Sequence, residues 1–169
     1  MPLRVFPVDA DVAFTNDWGY ARSGGRTHMG NDIFASVGDP LVAVDDGEVR
    51  FGSDPLGGNI AVLKTPDRTQ YYYAHLQGFE GANRRVQVGE RIGYVGRTGN
   101  VPGTAQSHLH FEVHPGGGAA INPFPLLSAA PRVARETRGA GRAILVAGLS
   151  GVLVWALLNP VQARRLLPV

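Results

Sequence analysis

Short apolar runs separated by turn-forming residues dominate the first 128 positions of the chain. The runs are four or five residues long and rich in β-branched, aromatic or alternating apolar positions, a pattern typical of strands rather than helices. They predict strands at 41–44, 48–51, 60–64, 70–74, 92–95 and 109–113.

The segments between these runs have the composition of turns. Asp45-Asp46-Gly47, residues 55–58, Pro66-Asp67 and residues 96–102 contain side chains that preset a turn or tolerate positive φ. Connections of three to six residues are too short to hold a crossover helix, so most neighbouring strands should pair antiparallel. We therefore expect a mainly β fold, an antiparallel sheet or open barrel with short loops.

The pattern changes near residue 128. The prolines of segment 121–125 remove backbone donors, so this segment is interpreted as the end of a domain spanning residues 1–128. Residues 129–142 are rich in Ala, Arg and Gly without an apolar period, which predicts a linker.

The last part of the chain contains an apolar segment. Residues 143–158 carry no charge, and extension to residue 163 reaches the ~20 residues that usually cross a bilayer. We therefore predict a C-terminal transmembrane helix at 143–163, followed by a short basic tail at 164–169. A helix packed on the domain or on a partner is the alternative interpretation.

Charge and composition restrict the function classes. Six arginines and one glutamate give the last 40 residues a net charge of +5, which leaves −3 for residues 1–129. Nucleic-acid binding would need a basic stripe on the folded domain, so no nucleic-acid partner is expected. The absence of cysteine excludes thiolate metal sites and leaves histidine and carboxylate as candidate ligands.

Four of the five histidines fall in three short motifs. In the first, His28 and Asp32 are four residues apart, and they can face one metal if the intervening turn folds back, a path that Gly30 permits. This pair alone is weak evidence, because a surface histidine and an aspartate in a loop give the same pattern.

The second motif contains His108 and His110 on a predicted strand. Alternation puts Leu109 and Phe111 on one face and both histidines on the other. Same-face neighbours are about 6–7 Å apart along a strand, so one ring can bind a metal while the other acts as acid or base. An exposed polar face is the alternative, and Glu112 on that face is interpreted as solvated.

The third motif is a tyrosine-rich strand, residues 71–73, followed by Ala74 and His75. Such a strand suits a rim at which aromatic rings floor a groove and His75 points into it, although an isolated histidine there would be a core-edge residue. The remaining histidine, His114, precedes a proline and three glycines and is assigned to a loop without a role.

Together, the motifs resemble those of the lysostaphin/LytM-type zinc peptidases. The matching motifs, in the order and spacing of that family, are His28-x-Gly30-x-Asp32, Tyr73-Ala74-His75-Leu76, Gly93-Tyr94-Val95-Gly96-x-Thr98-Gly99 and His108-Leu109-His110-Phe111-Glu112-Val113. The resemblance covers roughly residues 15–127. Ser107 departs from it, since the family often has proline before the first histidine of the pair.

The resemblance implies that His28, Asp32 and His110 bind Zn²⁺ and that His75 and His108 are catalytic histidines. Two imidazoles and one carboxylate leave a fourth position for water on a tetrahedral zinc, which is the arrangement of a catalytic site. The implied reaction is hydrolysis of peptide bonds in bacterial peptidoglycan, in cross-bridges or stem peptides, by metal-activated water. The division of proton transfer between the two catalytic histidines stays open.

Two other classes of protein fit the sequence less well. A degenerate family member would be a scaffold or activator of other cell-wall hydrolases, but such proteins typically lose metal ligands and this sequence has all three. An iron(II) oxygenase uses two histidines and a carboxylate, but its usual close His-x-Asp pair is absent.

The expected location combines two signals that conflict. The chain does not open with a cationic region followed by an apolar one, so no signal peptide is expected. We expect membrane anchoring by the C-terminal helix and action at the cell wall. However, four arginines before the apolar segment and two after it would place the domain in the cytoplasm by the positive-inside rule.

Overall fold

The computed structural model describes residues 2–132, and the elements within them are mainly strands. The strands are β1 (Ala13–Phe14), β2 (Asn31–Phe34), β3 (Pro40–Val42), β4 (Gly47–Asp54), β5 (Gly58–Lys64), β6 (Gln70–Ala74), β7 (Leu76–Phe79), β8 (Arg84–Val86), β9 (Arg91–Val95) and β10 (His108–His114). One α-helix, α1 (Phe124–Ala129), and two 3-10 turns, Ser23–Gly25 and Pro115–Gly117, complete them.

The strands form two antiparallel sheets. The larger has the order β1-β2-β10-β6-β5-β4-β8 and the smaller has the order β3-β9-β7. The predicted mainly β, antiparallel fold is confirmed. All six predicted strands are present as β3, β4, β5, β6, β9 and β10, with no bound displaced by more than three residues.

The sequence pattern does not predict β1, β2, β7, β8 or α1. The most consequential omission is β2, which begins with Asn31 and Asp32, two residues that are typical of turns. It is a strand because it pairs with β1 on one side and β10 on the other. Position in the sheet therefore overrides local propensity here.

Both sheets contribute to one hydrophobic core. Alternation along β10 buries Leu109 and Phe111 and leaves His108 and His110 on the opposite face, as predicted. Alternation along β6 likewise buries Tyr71 and Tyr73. The expectation that the whole tyrosine run floors a groove is therefore wrong for these two residues, which belong to the core.

The described chain stays packed on the domain beyond residue 128. Helix α1 follows Pro123 where the sequence indicates only a stop. The backbone N–H of Phe6 donates to the carbonyl of Pro131 at 2.8 Å, and the guanidinium carbon of Arg132 lies 3.6 Å from the centre of the Phe6 ring. Ordered contacts thus include the first residues of the predicted linker.

The predicted transmembrane helix at 143–163, the basic tail at 164–169 and the rest of the linker lie outside the described residues. Among residues 2–132, no helix has the length and apolar character needed to cross a membrane.

Candidate metal centre

Strand pairing brings Asp32 and His110 together. Strand β10 lies between β2 and β6, and its register places His110 directly opposite Asp32 on one side and Ala74 on the other. Directly opposed residues share a face of the sheet, so the carboxylate and the imidazole meet. His28 comes from the segment just before β2. Between His28 and Asp32 the backbone bends at Gly30 and then enters β2 at Asn31.

Three potential ligand atoms converge on one point. His28 Nε2 lies 2.9 Å from His110 Nδ1 and 3.1 Å from Asp32 Oδ1, and His110 Nδ1 lies 3.0 Å from that same oxygen. These are the three residues that the sequence indicated as metal ligands, and they form a cluster able to hold a metal ion.

The outer nitrogens of both imidazoles donate to oxygen atoms that can only accept. His28 Nδ1 donates to the carbonyl of Asp17 at 2.9 Å, and His110 Nε2 donates to Glu112 Oε1 at 2.8 Å. The inner nitrogens of the neutral rings therefore present lone pairs. Two lone pairs and a carboxylate oxygen repel one another unless a cation lies among them, so this nitrogen and oxygen donor set fits Zn²⁺.

The electrostatics of the cluster favour positive charge at its centre. Burial raises the pKa of Asp32, but hydrogen bonds from His110 and His28 outweigh it and keep that pKa well below its usual range. Burial lowers the pKa of His28, but its bonds to Asp17 and Asp32 outweigh burial and raise the pKa to about 9. A proton and a metal ion therefore compete for the same position.

Close packing explains Gly30. A Cβ atom there would lie 2.6 Å from the carbonyl oxygen of Phe111 and 2.8 Å from atoms of the His110 ring. The backbone of Gly30 does not have positive φ, so the glycine is needed for space beside the His110 ring. The conformational freedom that the sequence suggested is not what this position requires.

The two predicted catalytic histidines lie side by side next to the cluster. The rings of His75 and His108 have centroids 4.9 Å apart, and His108 Nε2 lies 3.8 Å from Asp32 Oδ1. Each Nδ1 donates to a backbone carbonyl at 2.9 Å, that of Thr98 for His75 and that of Gln106 for His108. When a ring is neutral, this hydrogen bond leaves its Nε2 as an acceptor.

His75 is held in an unusual conformation. Its φ of 67° lies in the left-handed region, which costs about 1–3 kcal/mol in a non-glycine residue and is typical of functional sites. Burial, reinforced by repulsion from His108, lowers its pKa to about 4. His75 is therefore neutral at pH 7.

Glu112 and His114 contribute to the site although the sequence pattern assigns neither a role. Glu112 accepts from His110 through Oε1 and from His114 Nε2 through Oε2 at 2.7 Å, so the expectation of a solvated side chain is wrong. His114 is the last residue of β10 rather than a loop residue, and its Nδ1 lies 3.0 Å from the carbonyl oxygen of Gly118. The shared strand face with His108 and His110 was the available signal for Glu112.

Arg22 and Asp17 also support the cluster. Arg22 Nη2 donates to Asp32 Oδ2 at 2.6 Å and to Asp17 Oδ2 at 3.2 Å. Asp17 Oδ1 in turn accepts from Asn31 Nδ2 at 2.8 Å. No local motif indicates these contacts, which depend on a loop folding over β2.

All five predicted site residues lie in one groove of about 940 Å³. The segment with Arg22 and Arg26 contributes to its lining, as do residues of the stretch 100–106. Tyr72, the central tyrosine of β6, also lines it, with its hydroxyl donating to Asp54 Oδ2 at 2.8 Å. One of the three tyrosines thus has the position expected from the sequence.

Known proteins resemble this chain in sequence and fold. Residues 26–123 match peptidase family M23. An L-Ala--D-Glu endopeptidase of Bacillus subtilis (strain 168) is 35% identical over 136 residues, which cover 73% of this chain and 42% of the relative. The chain therefore spans less than half the length of that enzyme.

Solved structures extend the similarity. The catalytic domain of lysostaphin from Staphylococcus simulans superposes with a TM-score of 0.61 at 27% identity, over 70% of this chain and 93% of that domain. A zinc-containing peptidase from Vibrio cholerae superposes with a TM-score of 0.60 at 25% identity, over 78% of this chain and 41% of its own.

Proposed function

Because the chain belongs to peptidase family M23, we propose that it is a zinc-dependent endopeptidase that hydrolyses peptide bonds of bacterial peptidoglycan. The observation that carries the proposal is the convergence of His28 Nε2, His110 Nδ1 and Asp32 Oδ1 in an open groove. The adjacent pair His75 and His108 supplies groups for proton transfer.

The ligands have distinct roles in this proposal. His28, Asp32 and His110 hold the ion, with Asp17 and Glu112 fixing the tautomers of the two imidazoles. A zinc ion bound there supplies Lewis acidity that activates water and polarises a peptide carbonyl. Arg22 holds the second oxygen of Asp32 and so fixes the orientation of that carboxylate.

His75 and His108 carry the proton chemistry. The Nε2 atom of one ring takes a proton from the attacking water, and that ring then delivers the same proton to the leaving amine, while the other ring orients the reacting groups beside the developing oxyanion. Their Nδ1 hydrogen bonds to backbone carbonyls keep both rings in the required tautomer.

Peptidoglycan is the proposed substrate because a relative from Vibrio cholerae, 36% identical over 113 residues, is a peptidoglycan DD-endopeptidase. We place the activity at the cell wall and propose that segment 143–163 anchors the chain in the membrane. Sedimentation of the full chain with lipid vesicles tests the anchor, and a chain that stays in the supernatant contradicts it.

Three substitutions test the proposed chemistry, with zinc content and release of soluble peptides from purified peptidoglycan as measurements. Asp32→Ala and His110→Ala each remove a ligand and should abolish zinc binding and hydrolysis. His108→Ala should keep stoichiometric zinc and lose turnover by about 100-fold or more, on the order of a general acid–base contribution.

One outcome would overturn the role of His108, and another would overturn the peptidase function itself. Full hydrolysis by His108→Ala would remove that residue from the catalytic pair. An unaltered chain that binds no zinc and releases no peptide, yet stimulates another cell-wall hydrolase, would support the scaffold interpretation instead.

A further inference from the structure

Two arginines line the groove from one short hairpin. Ala21 and Thr27 form an antiparallel bridge, and the N–H of Arg22 donates to the carbonyl of Arg26 at 2.9 Å. The backbone thus holds both arginines on the same side of the site, and both side chains line the groove.

Much of the hydrogen-bonding capacity of Arg22 is unused. A guanidinium has five N–H donors. In Arg22, the contacts to Asp32 and Asp17 both come from Nη2, and the three N–H groups of Nε and Nη1 have no acceptor among residues 2–132. The side chain is 36% exposed, so these donors are accessible from the groove.

Arg26 also retains open donors. Its Nε donates to the carbonyl of Ser23 at 3.1 Å and its Nη2 to the hydroxyl of Ser23 at 3.3 Å. Within the described part of the chain, Nη1 has no acceptor. The serine contacts hold the guanidinium in place without neutralising its charge.

The carboxylates of the groove are, in contrast, already engaged. Asp32 binds His28, His110 and Arg22, and Glu112 accepts from two imidazoles. Asp54 accepts from the Tyr72 hydroxyl and from two backbone N–H groups. Among the charged side chains that line the groove, the open hydrogen-bonding capacity therefore lies on the two guanidiniums, which suits an anion.

We propose that Arg22 and Arg26 form an anion subsite that selects peptides with a carboxylate beside the scissile bond. This inference rests on the proposed peptidase function. Arg22 contacts Asp32, a proposed metal ligand, at 2.6 Å, so its guanidinium lies beside the proposed metal position, where the residues next to the scissile bond would bind. The preferred substrate is then a carboxylate-bearing stem peptide, since a glycine cross-bridge has only neutral backbone there.

The recognition has a physical basis in guanidinium geometry. Charge-assisted bonds from a planar guanidinium to a carboxylate are about twice as strong as neutral ones and can be bidentate. A carboxamide of the same shape supplies only one acceptor atom and no charge. The carboxylate and its amide are therefore a matched pair of probes.

The test uses two synthetic stem-peptide fragments that differ only in a glutamate or a glutamine next to the scissile bond. The full zinc-loaded chain should cleave the glutamate peptide with a kcat/KM at least about 10-fold higher, the size of one charge-assisted contact. On the metal-depleted chain, which does not turn over, calorimetry should give a Kd that is lower for the glutamate peptide.

Substitutions separate an anion subsite from a structural role. Arg26→Gln should reduce the glutamate preference below about 3-fold, because the charge-assisted contact is removed. Arg50→Gln is the control, because Arg50 lies on the exposed part of β4, paired with Glu48, and does not line the groove; it should leave the preference unchanged. Arg22→Lys should also reduce the preference, because a point charge cannot form the bidentate contact.

Three results would overturn the inference while the peptidase proposal stands. They are equal kcat/KM values for the two peptides, a glutamate preference that Arg26→Gln does not reduce, and an Arg22→Lys chain whose kcat/KM falls by the same factor on both peptides. A chain that cleaves neither peptide contradicts the peptidase function, and the Kd ratio then still decides whether the anion subsite exists.

Discussion

Glu112 determines which nitrogen of His110 faces the proposed metal position. Its Oε1 accepts from His110 Nε2, and its Oε2 accepts from His114. Burial raises the pKa of Glu112, but hydrogen bonding to His110 and the charges of both imidazoles outweigh burial and lower it, so the side chain is an anion at neutral pH. A carboxylate in this position orients the ligand and increases its basicity.

Removal of this carboxylate should weaken zinc binding. We expect Glu112→Ala to raise the Kd for zinc about 10- to 100-fold, because the His110 ring loses the acceptor that fixes its tautomer. Competition with a chromophoric chelator measures the Kd. Glu112→Gln keeps an acceptor oxygen and should recover part of the affinity.

Glu48→Ala is the matched control for this substitution. Glu48 lies on an exposed part of β4, where it pairs with Arg50, and its loss should not change zinc affinity. A Glu112→Ala chain that binds zinc as tightly as the unaltered chain would show that His110 needs no acceptor.

Gly30 is a second residue at which a small change should reach the metal position. A methyl group there collides with the Phe111 carbonyl and the His110 ring, so Gly30→Ala should lower the free energy of unfolding by about 1–3 kcal/mol and weaken zinc binding. Denaturant unfolding and chelator competition measure the two effects. Gly52→Ala is the control, since its Cβ would meet only Ile60 Cγ1 at 3.8 Å; similar values for both variants would refute the packing argument.

At the scale of elements, two neighbouring tyrosines of strand β6 lie on opposite faces of the sheet and make different hydrogen bonds. The Tyr73 hydroxyl donates to the carbonyl of Val42 at 3.0 Å and accepts from the N–H of Val44 at 3.2 Å, so it ties the larger sheet to the segment of β3 in the smaller one. The Tyr72 hydroxyl instead binds Asp54 at the groove.

Because only the Tyr73 hydroxyl binds buried backbone groups, removal of the two hydroxyls should affect stability to different extents. Tyr73→Phe leaves a buried N–H and a buried carbonyl without their partner, so the free energy of unfolding should fall by about 1–3 kcal/mol, while zinc affinity stays unchanged. Tyr72→Phe should cost less stability, because its hydroxyl lies at the groove. Urea unfolding measures the free energy of unfolding of both variants. A larger decrease for Tyr72→Phe than for Tyr73→Phe would contradict this prediction.

Strand β2 illustrates what a sequence can reveal about this fold. The six strands with alternating or apolar runs were predictable because the order of apolar and polar residues within each strand matches its burial pattern. In β2, Asn31 and Asp32 are residue types typical of turns, so the sequence does not indicate a strand there. Ile33 is nevertheless fully buried in the core. The strand state of β2 is set by β10, a neighbour more than 70 residues away along the chain, which no local pattern encodes.

The same distinction applies to the site. The five proposed metal-binding and catalytic residues were identifiable because they occur in compact motifs whose order resembles a known family. Arg22 and Asp17 were not, because their contacts to Asp32 and His28 arise only when the loop before β2 folds over the strand. Glu112 had a signal in strand alternation, and the interpretation of that signal as solvent exposure was wrong.

At the scale of the whole molecule, the site lies where the chain passes between its two sheets. His75 is the single residue between β6 of the larger sheet and β7 of the smaller one. Its N–H donates to the carbonyl of Gly57 and its ring to that of Thr98, just beyond β9. The orientation of this ring therefore depends on the mutual position of both sheets.

Residues 131 and 132 contact Phe6 near the start of the described domain. This contact predicts how far the chain can be shortened from its C-terminal side. A chain cut after Arg132 retains all five site residues and the contacts of Pro131 and Arg132 with Phe6, so it should bind zinc stoichiometrically and cleave model peptides. A cut after Ser128 removes the last residue of α1, the packing of Ala130 on the core, the backbone hydrogen bonds of the Ala130 N–H and the Pro131 carbonyl, and the contact of Arg132 with Phe6. Their loss should cost on the order of 1–3 kcal/mol.

A destabilisation of that size corresponds to a decrease in Tm of several degrees for a domain of this length. Calorimetry of the two shortened chains measures it, with the chain cut after Arg132 as the reference. Equal Tm values would mean that residues 129–132 behave as part of the linker, as the sequence pattern indicates. A lower Tm for the shorter chain with unchanged zinc stoichiometry would place the end of the domain at Arg132, because Pro131 and Arg132 pack on Phe6, which is none of the three proposed metal ligands.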